Sequence, residues 1–80
     1  MTAQTENNND DIYASILSIA KEGASKKEIA QALSMSYQQL RRLSAVLVDR
    51  GMLRIDLKKH VFVTTDKGYV FLQNRKAGDV

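Results

Sequence analysis

Two helix-start signals stand eleven residues apart in the stretch from Ser25 to Gly51, and little else in the chain restricts its fold as tightly. Ser25 followed by Glu28 is a capping box: the serine hydroxyl and the glutamate carboxylate each satisfy a backbone N–H left without a partner at a helix start. Ser36 and Gln39 repeat the spacing, and Met35 ahead of that cap is placed to pack on Leu40 as a hydrophobic staple. The spacing predicts a short helix of about two turns, a turn at Ser34 to Ser36, and a second helix ended near Arg50 by Gly51, which supplies the left-handed residue of a C-cap.

Ile29, Leu33, Met35, Leu40, Leu43 and Leu47 recur at helical spacing on both sides of the turn, and Ala30 is small where one helix must approach the other. That is a helix-turn-helix pattern. At about 100° per residue, turning Leu40, Leu43 and Leu47 inward places Gln38, Arg42, Ala45 and Asp49 on the opposite face, with Arg41 on its flank. Ser36, Tyr37, Gln38, Arg41 and Arg42 then form an exposed front end. Arginine can fork onto guanine and glutamine onto adenine, so these side chains suit base edges and phosphates. The plainer alternative is a solvated face of good helix formers.

Ahead of this pair, residues 1–9 are polar and predicted to be a disordered leader. A helix is expected from Asp10 or Asp11, with an apolar stripe of Ile12, Ile16, Ile19 and Ala20 widened by Tyr13 and Leu17, closed by Gly23. Ala24 leaves room for no more than a one-bridge strand. After Gly51 the period becomes alternating: Leu53, Ile55 and Leu57 between polar residues, then Val61, Phe62 and Val63 before Thr64. Lys58, Lys59 and His60 form the basic tip of this hairpin, a turn whose type its residues do not disclose. Thr65 is positioned to cap a last helix reaching about Arg75, with Phe71 and Leu72 inward, and residues 77–80 are expected to fray. The domain is thus read as 10–76.

An 80-residue chain makes one small domain, burying roughly 60% of its unfolded surface. There is no cysteine, which excludes a disulfide framework, a thiolate nucleophile and sulfur-based zinc. A metal site on His60, the single histidine, would need carboxylates that the sequence does not gather beside it. No nucleophile–base pair, carboxylate pair or glycine-rich phosphate loop is present, so no enzyme activity, cofactor or small-molecule ligand is expected. No apolar run suits a bilayer and the N-terminus lacks a signal-peptide layout, which leaves the cytoplasm, on the nucleoid, as the expected location. The net charge is +3, but between residues 12 and 76 twelve lysines and arginines face five carboxylates, a balance of +7. Such a balance favours an anionic partner, most simply double-stranded DNA.

The order helix, helix, helix, hairpin, helix, together with particular residues, resembles a small archaeal winged helix-turn-helix family. The resemblance is carried by Ile16, Leu17, Ala20, Gly23, Ala24 and Ile29; by Leu33, Ser34, Leu40, Leu47, Gly51, Met52 and Leu53; and by Thr65 to Leu72, TDKGYVFL. It implies an α+β fold with a three-helix core, a two-stranded β-hairpin wing and a C-terminal helix. It also implies DNA binding, as a transcriptional regulator or a chromatin-associated protein. Met52 stands where leucine is usual, and Thr64 where an apolar residue is common. The chain stops soon after the last helix, whereas relatives that dimerise through a coiled coil continue it.

Within that frame Lys26 and Lys27 are candidates for backbone phosphates, and Lys58, Lys59 and His60 for a phosphate or the minor groove. The same lysines would also serve solubility and protect a sheet edge. Tyr69 and Val70 cannot both turn inward beside Phe71 and Leu72. With Ile12, Tyr13 and Ile16 they make the expected homodimer interface. The competing function is that of a protein-interaction adaptor whose Arg41 and Arg42 meet an acidic partner.

Overall fold

Both predicted caps form, and they set where the chain turns. In the computed structural model, which describes the backbone of residues 2–79 and the side chains of residues 10–75, α1 spans Thr2–Ile19 and ends in a 3-10 turn, Ala20–Glu22. The second and third helices are α2, Lys26–Leu33, and α3, Tyr37–Asp49. Strands β1, Leu53–Asp56, and β2, Val61–Thr64, precede α4, Asp66–Asp79.

The Ser25 hydroxyl accepts from the Glu28 N–H at 3.1 Å while the Ser25 N–H donates to the Glu28 carboxylate at 2.8 Å. At α3 only half of the second box forms: Ser36 accepts from the Gln39 N–H at 3.1 Å, and no return bond from the Gln39 side chain joins it. Helices α2 and α3 end alike. Met35 N–H reaches back to the Ala30 carbonyl and Met52 N–H to that of Leu47, each across a left-handed residue, Ser34 with φ 53° and Gly51 with φ 78°.

Ile16, Leu17, Ile29, Leu40, Leu47 and Leu53 are fully buried and form one core with Ala20, Ala24, Ala30 and Phe62. The hairpin joins it through register pairs Leu53 with Thr64 and Ile55 with Phe62. Ala24 and Phe62 exchange both backbone hydrogen bonds, at 3.0 and 2.8 Å, which gives the expected one-bridge strand and fixes β2 against the end of α1. Thr64 is buried, and its hydroxyl donates to the Leu17 carbonyl at 2.6 Å. The polar residue at a usually apolar position is therefore satisfied, and β2 runs through it. Thr65 caps α4, accepting from the Gly68 N–H at 3.3 Å. Gly68 has no room for a side chain: a Cβ there would lie 2.5 Å from the Met52 carbonyl oxygen.

Several expectations need correction. The backbone of α1 is helical from Thr2, ahead of the start expected at Asp10 or Asp11, in a segment that holds neither proline nor glycine. Helix α4 likewise continues past Arg75 to Asp79, through the residues expected to fray. Met1, Val80 and the side chains of residues 2–9 and 76–79 lie outside the described residues. Ile16 is fully buried and Tyr13 only 8% exposed, because α1 is covered by α2, α3, β2 and α4 together. Neither has surface to offer a second copy. The alternation of β1 also predicts burial that stops short: Leu53 is buried, but Ile55 is 50% exposed and Leu57, in the turn beyond the strand, 78%.

Candidate nucleic-acid interface

Helix α3 is held by Leu40 and Leu47, with Leu43 and Val46 half-buried, and Tyr37, Gln38, Gln39, Arg41, Arg42, Ala45, Val48 and Asp49 are exposed. Ser44 is buried as well, its hydroxyl returned to the Arg41 carbonyl at 3.1 Å. Ser36, Tyr37, Gln38, Arg41 and Arg42 are all exposed, as the spacing predicts. They do not form a single front. Ser36, Gln38 and Arg42 surround a depression that reaches Ile12 of α1. Tyr37 and Arg41 lie on the other side, toward the wing.

That wing side is a cleft of about 470 Å³ bounded by the start of α2, the start of α3 and the hairpin. Lys26, Lys27, Tyr37 and His60 stand around it, and Ile55, Val61 and Phe62 make its floor. It continues along α3 past Arg41, Ala45 and Val48, again over Ile55 and Phe62, to Asp49 at the far end. Residues from three elements distant in sequence therefore converge, because the capping box starts α2 beside the bridge between Ala24 and Phe62. Ile55 and Val48 were not among the residues expected here. Their signal was faint, since alternation and helical spacing say which side a residue faces and not where the core ends.

Lys58 and Lys59 stand apart from the cleft, on the turn. Its conformation has a source: the Asp56 carboxylate accepts the N–H of Lys58 at 3.0 Å and of Lys59 at 3.2 Å. His60 then closes the loop in the left-handed region at φ 58°. An aspartate folding back on its own turn and a histidine at positive φ are both physically favourable, so the sequence did hold a turn signal in Asp56 and His60.

The cations of this face stand outside any described ion pair. Among the described residues the ion pair is Arg75 with Asp11, between α4 and α1. Lys26, Lys27, Arg41, Arg42, Lys58 and Lys59 pair with no described carboxylate and are all exposed. Glu28 is tied to the α2 cap and Asp56 to the wing turn. The arrangement offers an anion a row of uncompensated cations, flanked by donors able to read base edges. Among the described residues no group of three His, Cys, Asp or Glu side chains is gathered, and no helix is long and apolar enough to cross a membrane.

Tyr69 is 37% exposed, but its hydroxyl donates to the Lys21 carbonyl at 3.2 Å and the Lys21 ammonium lies 6.0 Å from its ring. It is thus partly committed to its own protomer. Val70 has no such engagement and is exposed.

No match is found among curated proteins. A family model described as winged helix-turn-helix matches residues 8–77, nearly the whole chain and at least most of every element above. Such domains in general bind DNA and are not typically enzymes. With four helices and a two-stranded antiparallel wing in the required order, the chain belongs to the winged helix-turn-helix family.

Proposed function

We infer that the protein is a DNA-binding transcriptional regulator or chromatin-associated protein that lays α3 in the major groove and its wing along the adjacent backbone. Gln38, Arg41 and Arg42 read base edges, while Lys26, Lys27, Lys58, Lys59 and His60 contact phosphates; Ser36 and Tyr37 stand at the entering end of α3. The single observation that carries this is the exposure of six cations, from α2, α3 and the wing, with no described carboxylate paired to any of them. An adaptor would match such a surface only to a strongly acidic partner. The location that goes with this role is the cytoplasm, on the nucleoid.

Arg42→Ala tests the reading helix. On a site selected from random duplexes it is expected to cost about 1–3 kcal/mol and relax preference at one base position, whereas a phosphate contact would weaken every sequence alike. Unchanged affinity after removal of both Arg41 and Arg42 would sink a DNA-reading role for α3.

Homodimerisation is part of the same proposal, with a smaller interface than first expected. Val70 is its centre, with Tyr69 beside it and half-buried Ile12 on α1 extending it. A two-fold pair would set its recognition helices about 34–36 Å apart and favour inverted repeats. Sedimentation as a dimer at tens of micromolar, lost in Val70→Asp, is expected; a monomeric wild type would end the idea.

A further inference from the structure

The cleft between α3 and the wing differs from the rest of the cationic face in having an apolar floor. Ile55 and Tyr37, 50% and 60% exposed, border it together with the lip of Phe62, and Lys26, Lys27 and His60 stand on its rim. Half-exposed isoleucine is costly to leave in water and unnecessary for holding phosphate alone. A floor of hydrocarbon inside a rim of cations matches a polymer whose repeat alternates a hydrocarbon ring with an anion.

Duplex geometry places such a polymer there. If α3 lies in a major groove and the wing approaches the neighbouring minor groove, one sugar–phosphate strand separates the two and must cross the cleft between them. We propose that the cleft seats this strand, with deoxyribose carbons against Ile55 and Tyr37 and the flanking phosphates on Lys26 and Lys27, and that it thereby discriminates deoxyribose from ribose. This rests on the DNA-binding reading above and names which part of the duplex the cleft takes. A ribose 2′-hydroxyl is displayed toward the minor groove, the side on which the wing and Ile55 stand. There it would be pressed on the Ile55 side chain, which offers no hydrogen-bond partner, and would lose water at that contact without replacement. An apolar peptide would fill the floor but leave the rim cations facing an uncharged ligand. A thymine methyl projects into the major groove, away from the strand that crosses here.

The test is a scan of single ribonucleotides through each strand of a duplex selected from a random pool, read by fluorescence anisotropy. The wild type is expected to lose about fivefold or more in affinity at one or two adjacent positions and little elsewhere. Ile55→Thr, which keeps the branched shape and adds a hydroxyl, should flatten that dip; Tyr37→Ser on the other wall should shrink it at the same positions. Both residues are exposed enough for the variants to fold, which thermal melting checks. A flat scan in the wild type overturns the proposal, as does a dip that persists unchanged in Ile55→Thr. So does a loss dependent on Ile55 when thymine is replaced by uracil but not when deoxyribose is replaced by ribose, since the cleft would then read a base methyl. Failure to bind any duplex is a separate result and overturns the DNA-binding reading itself.

Discussion

The two strands of the wing are paired residue for residue, yet they meet solvent differently. On their shared inner face β2 buries both Phe62 and Thr64, while β1 buries Leu53 and leaves Ile55, the direct partner of Phe62, half in water. The pleat is the same in both strands. What differs is the neighbour: β2 is bridged to Ala24 and bonded to Leu17, so the end of α1 covers it, whereas Ile55 of β1 meets only the open cleft beside α3. Alternation in sequence therefore fixes orientation, and a third element decides burial. Where that element is missing, an apolar side chain becomes part of a binding surface.

Substitution along the shared face is the way to break this contrast. Leu53→Ala should destabilise most, by about 2–5 kcal/mol, because it opens a cavity against helices that cannot follow. Ile55→Thr should stay within about 0.5 kcal/mol, so urea midpoints that moved equally for the two would mean that both strands share one core. Between them falls Thr64→Val. It keeps the volume but removes the donor to the Leu17 carbonyl, at a cost of about 1–3 kcal/mol. A neutral result there would show that the bridge, and not the hydroxyl, holds β2 to α1.

The same contrast explains how far the sequence could be read. Ser25 with Glu28, Gly23, Gly51 and Thr65 are local signals, each satisfying backbone groups within a few residues, and every one sits where its chemistry predicts. The packed face of α3 was legible because Leu40, Leu43 and Leu47 leave one choice of side. The first helix gave no such choice: its apolar residues cover two adjacent faces, and periodicity cannot say which meets the core and which a second copy. Tyr13 and Ile16 belong by spacing to the apolar stripe and were expected at the homodimer interface as well, and four neighbouring elements bury them. In the candidate site the charged residues were legible one by one. Their division was not, since Tyr37 and Arg41 face the wing while Gln38 and Arg42 face α1, and that depends on how α2 and the hairpin are placed. The capping of α3 shows the same limit in miniature, for Gln39 matches the box in sequence and its side chain does not return.

The central claim is that the face shared by α2, α3 and the wing binds duplex DNA through its uncompensated cations. Titration of affinity for a random duplex against salt tests it most directly. With Lys26, Lys27, Lys58 and Lys59 on phosphates, the logarithm of affinity should fall against the logarithm of salt with a slope of about −4, and alanine at both Lys58 and Lys59 should reduce its magnitude by about 2. No retardation at low salt, or affinity indifferent to salt, would contradict the account and leave the adaptor role in its place.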